Sequence, residues 1–463
     1  MKKNKYLNGI LPMFLMNFAV GAVYCWTLFR DPILVHTGWS QSVYTWSFSL
    51  AMFFCGMTAA FGGKIVEKSV KKASYITLIL FVTGWVITSL SILFGGSLGA
   101  VGAIVGFGVI QGMAVGMGYL TPIKTLMLWM DKKQGFAAGL AITGFALTGV
   151  ILNPLIMLLL RFFTVYQSFF ILTASFTVCL LTATLLIYRP DDKMTKEDLS
   201  REAVPVIKIL FQPKFIFLWL ILLINVAVGL AVISHERQMY EALGITEYAL
   251  GPSLFDTLMI VFVNISVFFN LAGRMAMSSW QDKLRRKHMP YYVMVVGQIF
   301  VCILAVIFAR HLAVILITIW VINFFFGCGF ACLPGILKQH YGIKQLATVH
   351  GLTLSAWAVA GLVGNQIAAF ILFSGGNYYR TGYGDYYYSY GEYHWVNYYR
   401  WVDYFRNGGI TILFGVLGAM FVIMGIFVLF FVRAAFKKVD RNEGGLAAKL
   451  GLIKCSATIK NKK

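Results

Sequence analysis

The sequence predicts an all-α membrane protein whose twelve transmembrane helices form two pseudo-symmetric six-helix bundles. Three observations predict it: the composition, the recurrence of long apolar runs, and a duplicated charged segment. The 463 residues are 59% hydrophobic and 12% charged, about half the charge of a soluble domain. Apolar runs of roughly 20 residues, enough to cross about 30 Å of hydrocarbon, recur along the whole chain. They lack period-2 alternation, so helices rather than a β-barrel must satisfy the backbone where lipid offers no partner. The duplicate is Gly63-Lys64-Ile65-Val66-Glu67-Lys68-Ser69-Val70-Lys71-Lys72 and, 215 positions on, Ser278-Ser279-Trp280-Gln281-Asp282-Lys283-Leu284-Arg285-Arg286-Lys287. Both read small residue, three others, acid, base, two others, base, base. A repeated charged turn between apolar spans points to a transporter built from two related halves.

The spans fall at approximately 8–29, 41–62, 73–95, 98–123, 135–160, 166–188, 213–234, 250–273, 290–309, 312–336, 345–373 and 409–432. The first run is long and lacks a small-residue cleavage site, so no removable signal peptide is expected. Each copy of the charged turn lies between the second and third spans of a half. Residues 1–188 form the first six-helix bundle, the charged segment 189–212 a cytoplasmic linker, and 213–433 the second bundle. Within the second bundle, the Tyr- and Gly-rich stretch 374–407 reads as an external loop: a cap with tyrosines at the membrane surface, or a partner or gating element. The fourth span is dense in glycine (Gly102, Gly106, Gly108, Gly112, Gly116, Gly118). So are the fifth (Gly135, Gly139, Gly144, Gly149) and eleventh (Gly351, Gly361, Gly364). Such residues suit helices that slide past one another, or a tightly packed static bundle.

The net charge of +21 does not indicate nucleic acid, because of where it sits. With the N-terminus inside, cytoplasmic segments hold 30 Lys/Arg, external loops hold 7, and Lys124 and Arg274 lie in or at the ends of spans. This positive-inside bias places both termini in the cytoplasm, in a multi-pass protein of the cell membrane. The basic tail 434–463 is then an inner-leaflet lipid contact or a solvated end. Six of the seven cysteines lie in apolar spans, the seventh in the tail. Cys328 and Cys332 share a helix face without a His cluster, which suits packing rather than a metal or disulfide. No cofactor is expected. His-Glu-x-x-His, a phosphate-binding Gly-Lys-Ser/Thr loop and an embedded acid pair are all missing, so neither an enzyme nor an ATP-driven pump is expected.

Several residues carry the candidate chemistry. An arginine at bilayer depth costs a few kcal/mol unless it faces water or a partner. Arg274 suits bidentate binding of a carboxylate. Equally, eight residues before Asp282, it is placed to pair with the charged turn. Lys124 either snorkels to the inner interface or adds a second positive charge to a central cavity. Tyr24, Trp26 and Tyr119 offer polar tips and flat walls for orienting a ligand, or else pack. Asp256 complements a helix start or relays a proton. His235 and Glu236 close the seventh span at the outer surface, where they either titrate near neutrality or, as the expected case, form a solvated end. Glu67, Lys68, Asp282, Lys283 and Arg286 are candidates for gating, through ion pairs and helix-end contacts made in one conformation and broken in another.

The first span carries Gly21-Ala22-Val23-Tyr24-Cys25-Trp26-Thr27-Leu28-Phe29, and the fourth Gly118-Tyr119-Leu120-Thr121-Pro122. The fifth carries Gln134-Gly135-Phe136-Ala137-Ala138-Gly139-Leu140-Ala141-Ile142-Thr143-Gly144-Phe145, the eighth ends Gly273-Arg274, and the eleventh has Gly351-Leu352-Thr353-Leu354-Ser355-Ala356-Trp357-Ala358-Val359-Ala360-Gly361. With the duplicated turn, these motifs resemble the oxalate/formate antiporter family of the major facilitator superfamily, over about residues 8–433. The resemblance implies exchange or proton-coupled movement of small carboxylates. In the family's oxalate-exchanging member, one basic residue of the eighth span and one of the eleventh bind the dicarboxylate. Arg274 stands at the first position, and Trp357 replaces lysine at the second. The family also usually has proline after the eleventh-span glycine, where this chain has Gly364-Asn365-Gln366. One cation suits a monocarboxylate better than a dicarboxylate. The resemblance therefore favours Arg274 and Trp357 as substrate-binding residues, with Lys124 a partial substitute for the absent lysine. The expected function is secondary active transport of small organic anions, monocarboxylates first, by alternating access as a monomer. The alternative is a transport-inactive membrane sensor of carboxylates on the same fold.

Overall fold

The computed structural model describes residues 4–190, 194, 203–236, 239–240, 243, 245, 250–373 and 409–436. Stretch 374–407, the tail from 437, residues 191–193 and 195–202 of the linker and the Asp256 side chain lie outside the described residues. Among the described residues, twelve helices are long and apolar enough to cross a membrane. The first six are Tyr6–Trp26, Gln41–Lys68, Val70–Phe94, Gly96–Trp129, Gln134–Phe162 and Val165–Leu186. The second six are Pro213–Ser234, Pro252–Lys283, Met289–Ile307, Leu312–Tyr341, Leu346–Phe373 and Ile410–Phe436. No strand occurs among the described residues.

The charged duplicate departs from its expected form as a turn. The second span stays helical through Lys68 and the eighth through Lys283, so each acid sits in the last turn of a long helix. The reason is local. Ile65-Val66-Glu67-Lys68 and Trp280-Gln281-Asp282-Lys283 contain no glycine or proline to stop a helix. The stops come later, at extended Ser69 and extended Leu284. Ser69 then caps the third span, accepting from the Lys72 amide at 3.2 Å. Pro290 opens the ninth span, where its missing N–H costs nothing.

Two spans leave regular α geometry. The first tightens to a 3-10 stretch over Ala22–Phe29, and the fourth widens to a π stretch over Ile104–Gln111. Irregular turns of this kind re-aim side chains within a helix. Tyr24 lies on the first of them.

The halves meet along two seams, the second span against the eleventh and the fifth against the eighth. Glycines bring the backbones together there. A side chain at Gly351 would run into the Ala59 carbonyl, and one at Gly139 into Arg274 and Ser278. This close approach of small residues substitutes for a hydrophobic driving force, which lipid does not supply. Inside the first half, Trp26 stacks on Phe107 at 3.9 Å and on Tyr44 at 5.1 Å. Cys328 and Cys332 are free thiols 3.9 Å apart on one face of the tenth span.

Candidate functional site

Arg274 lies nine residues before the end of the eighth helix at Lys283. At 1.5 Å per residue that puts it about 14 Å inside, near half the hydrocarbon thickness. It is 5% exposed. The pairing with the charged turn that its spacing allowed does not occur. Its Nε donates to Asn270 Oδ1 at 2.8 Å, one turn earlier, and its Nη1 donates to the Ile142 carbonyl of the fifth span at 2.6 Å. Asn270 is held in turn, its Nδ2 donating to the Asn323 carbonyl at 3.1 Å. The arginine thus spans the seam between halves. Its Nη2 makes no hydrogen bond among the described residues.

Beside it lies a cavity of about 10 Å³, room for roughly one water, lined by Tyr24, Tyr119, Phe145, Arg274, Phe326, Phe330 and Trp357. The first three come from the first half and the rest from the second. Edge-on ring packing builds the walls: Tyr119 against Phe145 and Trp357 at 5.5 Å each, and Phe330 against Trp357 at 5.1 Å. The Tyr119 hydroxyl and Trp357 Nε1 are buried with no hydrogen-bond partner among the described residues. Trp357 Nε1 lies near the Tyr24 hydroxyl without hydrogen-bond geometry. A buried unpaired donor costs about 1–3 kcal/mol, so such groups mark a place where an acceptor is missing. The lining holds one cation, several neutral donors and no carboxylate. Chemically the arrangement offers one positive charge and hydrogen-bond donors inside aromatic walls.

Toward the face where both duplicated acids end, which we term the motif face, the cavity is shut by a pair of matching contacts. Asp282 accepts from the amides of Gly135 and Phe136 at 2.6 and 2.8 Å, at the N-terminus of the fifth span. Glu67 accepts from the Thr348 amide at 3.0 Å and its hydroxyl at 2.7 Å, at the N-terminus of the eleventh. Each carboxylate of one half therefore caps a helix of the other, where unsatisfied N–H groups and the helix dipole favour negative charge. A second matched pair reinforces them. Lys124 Nζ donates to the Lys344 carbonyl at 2.9 Å, and Lys338 Nζ, 214 positions after Lys124, donates to Gln134 Oε1.

The Major Facilitator Superfamily model matches residues 7–365. The chain belongs to the Major Facilitator Superfamily. It is 23% identical over 355 residues to the uncharacterized MFS-type transporter YhjX of Escherichia coli (strain K12), covering 74% of this chain and 83% of that one. It is 22% identical over 374 residues to the oxalate:formate antiporter of Oxalobacter formigenes, covering 80% and 85%. Among solved structures, the proton:xylose symporter XylE aligns with a TM-score of 0.63 at 15% identity, over 93% of this chain and 97% of that one. FucP in its outward conformation aligns with a TM-score of 0.60 at 14% identity, over 92% and 99%. This superfamily member is a multi-pass membrane transporter, not an enzyme.

Of the residues anticipated for this facilitator's ligand, Arg274, Trp357, Tyr24 and Tyr119 come together and two do not. Trp26 is 2% exposed inside the first bundle, its Nε1 directed to the Tyr44 carbonyl at 3.4 Å. It follows Tyr24 and Cys25 directly on the 3-10 stretch, and of these three only Tyr24 lines the cavity. Lys124 lies five residues from the end of the fourth span at Trp129, about 7 Å from the motif face, and closes that face rather than lining the cavity. Of the gating set, Glu67 and Asp282 bridge the halves. Lys68 and Lys283 are exposed, with no hydrogen bond among the described residues, and Arg286 is half-buried. His235 and Glu236 correct the expectation of a solvated end: they are 6% and 3% exposed. The sequence reading missed Phe145, Phe326 and Phe330, apolar in an apolar chain and so without a signal. It also missed Asn270, whose four-residue spacing from Arg274 was visible, and Lys338, whose near-duplicate position to Lys124 was.

Proposed function

We propose that this protein is a secondary transporter of small organic anions, monocarboxylates first, working by alternating access with its termini in the cytoplasm of the cell. The observation that carries the reading is the closed seam cavity, where one buried arginine and unpaired hydroxyl and indole donors converge without an acid. The free Nη2 of Arg274 would take one carboxylate oxygen, and the Tyr119 hydroxyl or Trp357 indole the other. The aromatic walls would accept a short apolar remainder. A second carboxylate would find no second cation in the lining, because Trp357 stands where the family resemblance implies a lysine. The name of the Oxalobacter relative, an oxalate:formate antiporter, supports the carboxylate class. The charge bias supports the cytoplasmic assignment of the motif face.

The carboxylate caps give the cycle its logic. In this closed form Glu67 and Asp282 hold the motif face shut, and opening must trade each helix-end contact for water. Anion entry at Arg274 would compete with the Ile142 carbonyl for the guanidinium. That competition would loosen the fifth–eighth seam from its centre, linking ligand binding to the movement of the halves.

The test is uptake of labelled formate, lactate, pyruvate and oxalate into liposomes holding the purified protein, with each anion also loaded inside. Exchange of a monocarboxylate that Arg274→Ala abolishes supports the reading. If no anion moves in any combination, the transport-inactive sensor replaces it. If Arg274→Ala transports like the parent, the cavity assignment fails.

A further inference from the structure

The eighth span carries one buried polar residue per turn: Ser266, Asn270, Arg274 and Ser278, ending at Asp282. A four-residue step makes neighbours of successive members and winds the row slowly round the helix. From Arg274 the row runs toward the motif face in one direction and toward the opposite end of the molecule in the other. At that opposite end it meets a carboxylate that the proposed cycle does not use. Ser266 Oγ donates to Glu236 Oε1, and the Tyr240 hydroxyl donates to the same oxygen. Glu236 is 3% exposed, Tyr240 is fully buried, and both lie beyond the end of the seventh helix at Ser234.

Among the described residues, the groups against Glu236 carry no charge. The eighth span contributes Ser266 and Phe262, whose ring packs on Tyr240 at 5.4 Å. From the tenth span Trp320 lies beside the Tyr240 hydroxyl. The neighbouring His235 turns its Nδ1 to the Ala231 carbonyl at 3.0 Å. No cation pairs with the carboxylate among the described residues. An ion held this way is poised to exchange charge for a proton, because burial penalises the charged form and hydroxyl donors offset only part of the penalty. The hydroxyls also suit both forms, since either can rotate to accept once the carboxyl carries a proton.

We propose that Glu236, cradled by Tyr240 and Ser266, is a proton-binding site whose occupancy is coupled to the anion at Arg274. The step is a protonation: the carboxylate gains one proton from the solution at its end of the molecule and the buried charge goes from one negative to none. Burial pushes the Glu236 carboxyl up to about 7, the two hydroxyl donors pulling the other way. Ser266 and Arg274 are eight residues, about 12 Å, apart along the helix. At that separation and an effective dielectric of about 20, the ionised carboxylate would weaken anion binding by up to about tenfold. Protonation relieves this, so proton and anion bind with positive cooperativity, and by linkage the anion raises the affinity for the proton equally. The coupling half of the proposal rests on the anion reading of the Arg274 site; the proton site does not.

The experiment is an infrared titration of the full-length protein in lipid nanodiscs, without any organic anion, following the C=O stretch of protonated carboxyl groups. A carboxyl with its midpoint at about pH 7 is expected, lost in Glu236→Gln, restored in Glu236→Asp, and moved up by about one unit in Ser266→Ala, which removes a donor to the charged form. A parent without a near-neutral carboxyl, or a Glu236→Gln protein that keeps it, overturns the proton site. In liposomes, an imposed acid gradient should stimulate formate uptake by the parent, while Glu236→Gln should transport independently of the gradient. Stimulation that persists in Glu236→Gln overturns the coupling. If the parent moves no anion at all, the proposed function falls, and the infrared titration still decides the proton site.

Discussion

Replacing Asp282 by alanine removes the acceptor of two charged hydrogen bonds, at 2.6 and 2.8 Å, that join the eighth span to the N-terminus of the fifth. A hydrogen bond to a charged group is worth about 1.5–3 kcal/mol net of its exchange with water. That net value is the relevant one, because an opened motif face hydrates both partners. At the lower bound the pair holds the closed form by about 3 kcal/mol, and about 1.4 kcal/mol is a factor of ten. Asp282→Ala should therefore shift the closed-to-open equilibrium by about 100-fold, and Asp282→Asn, which keeps a neutral acceptor, by about tenfold. The assay is a pulsed electron-resonance distance between spin labels at Lys72→Cys and Arg285→Cys, exposed positions on opposite halves of the motif face. Cys455→Ser removes the tail thiol. Lys283→Ala is the control: this side chain is exposed and makes no hydrogen bond among the described residues. The expected result is a long-distance population that grows from Asn to Ala and is absent in the control. Superimposable distributions for Asp282→Ala and the parent would refute the capping argument. Opening by Lys283→Ala equal to that by Asp282→Ala would show that the turn acts through net charge instead.

Further outcomes follow from the same geometry. Glu67→Gln should open the motif face like Asp282→Asn, by about tenfold, since its carboxylate holds the Thr348 amide and hydroxyl in the matching position. Tyr119→Phe and Trp357→Phe each delete one unpaired donor and keep an aromatic wall, so anion affinity should fall about tenfold while thermal stability holds or rises, read by ligand titration and melting. Trp357→Lys adds a second cation beside Arg274 and should create oxalate uptake in liposomes; no gain would discount the lysine position that the family resemblance implies. His288, 2% exposed in the turn before the ninth span, has its pKa pushed down to about 4 by burial, with the Arg286 charge adding to it. The unfolded chain takes up that proton near the usual value of about 6.5 and the folded chain resists it until about 4. Stability should thus decline as pH falls between those values, and His288→Asn should flatten that part of a melting-temperature profile.

Much of this molecule was legible in the residues alone. The apolar runs fix twelve spans because lipid offers no hydrogen bonds, so every span must be a helix of about the bilayer's thickness. The duplicated acid and bases reveal two related halves, and the position of the duplicate within each half locates a contact at the seam. Arg274 was visible as the single arginine at bilayer depth, where its cost demands a reason.

What the chain could not reveal is which partner each polar group takes, because partners come from the other half. Asp282 was placed beside basic neighbours, yet its bonds go to backbone amides 147 and 146 residues away. Backbone amides have no residue type and so leave no trace in a sequence. Lys124 and Trp26 carried the right chemistry for a ligand, but helix rotation decides which way a side chain points, and a 3-10 stretch alters that rotation locally. Glu236 looked like a solvated helix end because its position alone does not show what covers it. The cover is Tyr240, four residues on, and Ser266, 30 residues on in the eighth span, and only the approach of that span to the segment beyond the seventh helix turns a surface acid into a buried one.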